Sequence, residues 1–93
     1  MTSSEYYFEV KDQFIDKLEL LPPEIQQRSK TKLDEFRRQV NTYGIDPREH
    51  NNTKFIALNR VWRLRIGDYR IFFDIYDYTV SLLSLEHRKN AYK

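Results

Sequence analysis

The chain has 93 residues, of which 40% are hydrophobic and 15% aromatic, with no cysteine and a formal net charge of +2. That length fits one domain spanning residues 1–93, and the composition is that of a folded chain rather than a disordered one. The lack of cysteine excludes a disulfide framework and a thiolate metal site.

Tyr6 to Val10 is aromatic and β-branched enough for a first strand. Asp12 is placed to cap a short helix that carries Phe14, Ile15, Leu18 and Leu21 on one side. Pro22-Pro23 breaks it, and Pro23 suits the first position of a second helix. That helix is expected to run to about Tyr43. Ile25, Leu33, Phe36, Val40 and Tyr43 form its apolar stripe, with Ser29 filling the gap. Gly44 is a natural helix terminator. Residues 45–53 read as a polar loop, and His50 within it has no partner that the sequence identifies. Lys54 to Leu58 is the next strand, and a turn follows near Asn59-Arg60.

The segment Val61 to Phe73 is the most informative. It reads as a strand, a two-residue turn at Gly67-Asp68 and a second strand. Alternation puts Trp62, Leu64 and Ile66 on one face and Arg63 and Arg65 on the other. Gly67 at the first turn position suits a type II′ hairpin. Closing there sets Ile66 opposite Tyr69, Arg65 opposite Arg70, Leu64 opposite Ile71 and Arg63 opposite Phe72. Like charges facing each other on a sheet are destabilising, so an anion is expected at the arginine face. Tyr76 to Thr79 turns the chain again. Val80 to Leu85 is a last strand, apolar on both faces and therefore central or covered. The order is β-α-α-β-β-β(-β). It predicts a two-layer α+β fold, an antiparallel sheet of the later strands covered on one face by two N-terminal helices.

Charge follows the same division. Residues 1–53 carry eight Lys/Arg against ten Asp/Glu, whereas residues 54–93 carry eight against four. The basic half is the half that reads as sheet, which points to an anionic partner such as nucleic acid. No apolar run reads as a signal peptide or approaches a membrane span, so a cytoplasmic protein without membrane attachment is expected.

Pairing the last strand antiparallel with Arg70–Tyr76 sets Ile75 beside Val80, Phe73 beside Leu82 and Arg70 beside Leu85. His87 and Arg88 then emerge near Arg70, and Tyr92 lies within reach if the tail folds back. Arg63, Arg65, Arg70, His87, Arg88 and Tyr92 would line one patch. Guanidiniums grip a phosphate with two donors and stabilise added negative charge, but they do not shuttle protons at neutral pH. Imidazole is the side-chain type suited to proton transfer near neutral pH, which makes His87 a candidate, and Tyr92 offers a stacking ring or a hydroxyl. RNA cleavage by its own 2′-hydroxyl needs such groups and no metal or other cofactor.

Trp62-Arg63-Leu64-Arg65-Ile66-Gly67-Asp68-Tyr69-Arg70 resembles the "yrlRvGdYR" hairpin of the RelE/ParE toxin superfamily. His87-Arg88-Lys89-Asn90-Ala91-Tyr92 resembles that family's C-terminal "HR…Y" ending. The element order and chain length agree as well. The resemblance implies the toxin of a type II toxin–antitoxin pair: a ribosome-dependent mRNA endonuclease that works by 2′-hydroxyl attack and is held by a cognate antitoxin. Its partners would be that antitoxin, the ribosome and mRNA. By position, the resemblance assigns catalysis to Arg65, Arg70, His87, Arg88 and Tyr92. It assigns RNA binding to Arg63, Arg65, Lys54 and Lys89. Some members carry lysines where Arg63 and Arg65 stand, and others a glutamate base before the hairpin. The general base is therefore open. A ParE-like gyrase poison and a catalytically silent binding module of the same fold remain as alternatives. Read alone, Arg63 and Arg65 are a solvated strand face, His87 a surface or capping histidine, and Tyr92 a packing residue.

Overall fold

Alternating apolar residues decide the architecture, and the computed structural model describes residues 5–90 of it. In chain order the elements are β1 (Tyr7–Val10), α1 (Asp12–Glu19), α2 (Pro23–Asn41), a 3₁₀ turn (Pro47–Glu49), β2 (Thr53–Ile56), β3 (Val61–Ile66), β4 (Tyr69–Tyr76) and β5 (Thr79–His87). The strands form one sheet in the order β1-β5-β4-β3-β2. The four later strands are antiparallel to their neighbours, and β1 joins β5 in parallel, so the sheet is mixed. The strand apolar on both faces, β5, lies between β1 and β4, as its composition requires.

The core gathers on one side of this sheet. Leu64, Ile66, Ile71, Phe73, Val80, Leu82 and Leu85 are buried there with Phe14 of α1 and Phe36 and Val40 of α2. Phe36 is the hub. Its ring meets Phe8 of β1 edge-on at 5.9 Å and Phe73 of β4 at 5.8 Å. Ser29, in the gap of the α2 stripe, is buried as well. Pro23 opens α2, where its missing N–H costs no hydrogen bond.

Three local expectations are corrected. Lys11, not Asp12, occupies the position before α1, and no side chain caps that helix; Asp12 sits in the first turn, where its charge favours the helix dipole. The second helix stops at Asn41, and Tyr43 is exposed rather than part of the stripe. The chain leaves through Gly44 at φ 72°, and the Ile45 N–H donates back to the Gln39 carbonyl at 3.1 Å. The third correction is the pairing of β4 with β5. Phe73 opposes Leu82, but Phe72 opposes Ser84, so Leu83 is an extra residue on β5. A bulge of this kind shifts every later side chain by one position. Arg70 therefore opposes Glu86 rather than Leu85, and Tyr69 opposes His87.

Candidate nucleic-acid interface

The β3–β4 hairpin closes on Gly67-Asp68 with Ile66 opposite Tyr69, Arg65 opposite Arg70 and Arg63 opposite Phe72. Gly67 has φ 58° and Asp68 does not share the left-handed region, which fits a II′ turn. Leu64 and Ile66 point into the core, so Arg63 and Arg65 point to the face turned away from α2. Lys54 of β2 pairs with Arg63 and extends the basic row to the sheet edge.

Arg70 sits at the centre of this face and is only 9% exposed. Its Nη1 donates to the carbonyls of Gly67 at 2.9 Å and Tyr69 at 3.1 Å, so its guanidinium is braced against the hairpin turn. Among the described residues its Nε has no hydrogen-bond partner. Burial, and then repulsion from Arg63, Arg65 and Arg88, pushes its proton affinity down, against the pull of Asp68. An arginine remains charged nonetheless. Arg70 therefore feels three other guanidiniums, and among the described residues no carboxylate is locked to it.

Arg88 joins through the main chain. Its N–H donates to the Asp68 carbonyl at 2.7 Å, which ties the end of β5 to the hairpin turn. Its Nε lies 3.6 Å from the Asp68 carboxylate in an exposed pair of low energetic value. Lys89 is exposed, and its N–H donates to Nδ1 of His87 at 3.2 Å. Tyr92 lies outside the described residues.

His87 does not emerge on the arginine face. The bulge at Leu83 turns it to the α2 side, where its ring meets Tyr69 edge-on at 5.2 Å. There it lines a small hollow with Ile25, Ser29, Ile66 and Tyr69. Glu86 takes the place beside Arg70. Its Oε2 accepts from Ser84 Oγ at 3.2 Å and pairs with Lys17 of α1 at 3.0 Å. Sequence reasoning missed Glu86 because nothing in the string Leu82-Leu83-Ser84 announces a bulge.

A second feature escaped the sequence. His50 is wedged between α2 and the start of β2. Its Nδ1 accepts from the Asn52 N–H at 3.2 Å, its Nε2 bonds to Gln39 Oε1, and its ring meets Phe36 edge-on at 5.0 Å. An acceptor role at Nδ1 fits the neutral ring, and burial pushes its pKa below the ordinary 6.5. It lines an open cleft of about 570 Å³ with Lys32 and Glu35 of α2 and the hairpin stretch 64–68. The unfolded chain then takes up the proton first, so the stabilisation from the neutral ring is full above 6.5 and is lost as the pH falls through the lower folded value. Urea midpoints measured at pH 7.5 and pH 5 are expected to fall more for the wild type than for His50→Gln. Parallel losses in the two proteins would remove His50 from this role.

The family model described as the ParE toxin of type II toxin–antitoxin system, parDE, matches residues 8–92. No curated protein matches the chain. Among solved structures, the chain is similar to one in the RelBE2 toxin–antitoxin complex of Mycobacterium tuberculosis, with 21% identity, a TM-score of 0.64 and coverage of 91% of this chain and 100% of that one. It is similar to one in the RelB–RelE complex of Methanococcus jannaschii, with 22% identity, a TM-score of 0.66 and coverage of 90% and 94%. A chain in the RelE–RelB complex of Pyrococcus horikoshii OT3 matches with 22% identity, a TM-score of 0.61 and coverage of 95% and 100%. At these identities the likeness speaks to the fold.

Proposed function

The chain belongs to the ParE toxin family of type II toxin–antitoxin systems, within the RelE/ParE superfamily, and from that premise we propose that it cuts mRNA on the ribosome. The reading is supported above all by one observation: Arg65 and Arg70 face each other across the hairpin, with Arg63 and Arg88 close enough to be felt. Like charges so placed are unfavourable without a ligand, and a phosphodiester is the ligand that guanidiniums fit best.

In this reading Arg63, Arg65 and Lys54 hold the RNA backbone, and Lys89 adds charge at the rim. Arg70 and Arg88 stabilise the phosphorane as the 2′-oxygen attacks phosphorus and the bond to the 5′-oxygen breaks. The products are a 2′,3′-cyclic phosphate and a free 5′-hydroxyl. His87, on the other face, acts at a distance by packing on Tyr69 and shaping the end of the hairpin. Tyr92 is the remaining candidate for stacking on a base. The solved relatives are toxin–antitoxin complexes, so a cognate antitoxin that covers the basic face is the expected protein partner.

Arg88→Ala provides the test. The side chain is exposed and its ion pair with Asp68 is long, so the melting temperature is expected to stay within a degree or two. Cleavage of ribosome-bound message, read by primer extension, is expected to fall at least ~100-fold, as for loss of one oxyanion donor. Undiminished cleavage would sink the assignment. The ParE description of the matching family favours a second reading, a gyrase poison. Induction of a DNA-damage response by the wild type, with message left intact, would establish that one instead.

A further inference from the structure

Among the described residues the arginines of the basic face suit a phosphate but supply no proton acceptor. Guanidiniums cannot take the 2′-hydroxyl proton, and His87 points to the other side of the sheet. Lys54 is two strands away from Arg70, on the edge. The bulge at Leu83 leaves one carboxylate in the same cross-strand row as Arg65 and Arg70, and that is Glu86. We propose that Glu86 is the general base of the RNA cleavage proposed above, an inference that rests on that reading.

The geometry favours the role in three ways. Register partners on neighbouring strands lie about 5 Å apart, the scale of a ribose next to its phosphate. Arg70 and Glu86 nevertheless form no ion pair. Arg70 is turned to the carbonyls of Gly67 and Tyr69, and Glu86 to Lys17 and Ser84, so neither group neutralises the other. Both contacts of Glu86 fall on Oε2, and among the described residues Oε1 is left to accept a hydroxyl. The side chain is 24% exposed, which is enough for RNA to reach it. Lys17 and Ser84 are positioning residues that fix the rotamer.

The step balances without a further reagent. Glu86 takes the proton from the 2′-hydroxyl, and the 2′-oxygen forms its bond to phosphorus. The bond from phosphorus to the 5′-oxygen breaks with its electron pair, and the departing oxygen takes a proton from water. Glu86 then returns its proton to solvent.

The experiment measures cleavage of ribosome-bound message by the full chain as wild type, Glu86→Gln and Lys17→Met, with a thermal melt for each. Glu86→Gln keeps the hydrogen bond from Ser84 but cannot accept a proton. It is expected to lose ~10²- to 10⁴-fold in rate, and its rate is expected to respond less to acidification than the wild type's. Lys17→Met, which releases the anchor and keeps the carboxylate, is expected to lose less than Glu86→Gln and to keep the wild-type pH profile. Wild-type cleavage matched by Glu86→Gln overturns the base assignment and leaves the nuclease reading standing. Equal losses in Glu86→Gln and Lys17→Met, with an unchanged pH profile, also overturn it, because the carboxylate then serves only to hold α1 to β5. A wild type that arrests growth without cutting message overturns both.

Discussion

Arg70→Ala is expected to abolish message cleavage and to weaken the fold as well, and the second effect separates it from Arg88→Ala. Removing a donor aimed at developing phosphate charge costs roughly 10²- to 10³-fold in rate. Arg70 differs from the other guanidiniums because it is only 9% exposed and donates to two main-chain carbonyls at the hairpin turn. Its loss leaves those acceptors unmatched in a partly dry setting, at a cost of about 1–3 kcal/mol. Relief of repulsion from Arg63, Arg65 and Arg88 works the other way. Cross-strand like-charge terms are only about 0.2–1 kcal/mol each, so a net destabilisation of roughly 1–2 kcal/mol is expected. Urea denaturation of both variants checks this. An Arg70→Ala protein as stable as Arg88→Ala would show that the two carbonyl contacts contribute nothing. An Arg70→Ala protein that still cuts at the wild-type rate would remove Arg70 from the site.

The largest effect on stability is expected at Phe36, and it lies far from the chemistry. Its ring is 2% exposed and meets Phe8, Phe73 and His50, so it joins α2 to two strands and to the loop before β2. Truncating a buried Phe to Ala costs about 3–5 kcal/mol. A domain of this size has roughly 5–14 kcal/mol in total, so Phe36→Ala removes a large share. The expected result is a steep fall in the urea midpoint, partly reversed when the cognate antitoxin is present, because binding to the folded state alone stabilises it by mass action. Phe55→Ala, at a ring 45% exposed on β2, is expected to cost under ~1 kcal/mol. A Phe36→Ala protein within 1 kcal/mol of wild type would mean that α2 does not rest on this ring.

How far the sequence could be read depends on which physical signal each residue leaves. Residues 61–73 were legible to the single residue, because strict alternation and a glycine at the turn fix both face and register. The second helix was legible because Pro23 and the spacing from Ile25 to Val40 mark its start and its buried stripe. Tyr43 misled because its spacing fits the stripe although the helix ends two residues earlier. The placement of Arg63, Arg65 and Arg70 on one face of the sheet was legible, and that of His87 and Glu86 was not. Between Val80 and Leu85 apolar residues occupy both faces, so no alternation reports that Leu83 is supernumerary. His50 was illegible because its partners, Gln39 and Phe36, are brought to it by the packing of α2 and leave no mark in the loop itself.

The irregularity at Leu83 bears on how such a protein diverges. Because the extra residue is taken up as a bulge, the carboxylate and not the imidazole lies opposite Arg70 at the end of β5. Loss of the Leu83 codon would leave Ser84 opposite Phe72 and Glu86 opposite Arg70, so the bulge absorbs one residue of length without moving the carboxylate. An ungapped comparison with an unbulged strand would align residues that lie on opposite sides of the sheet from this point on.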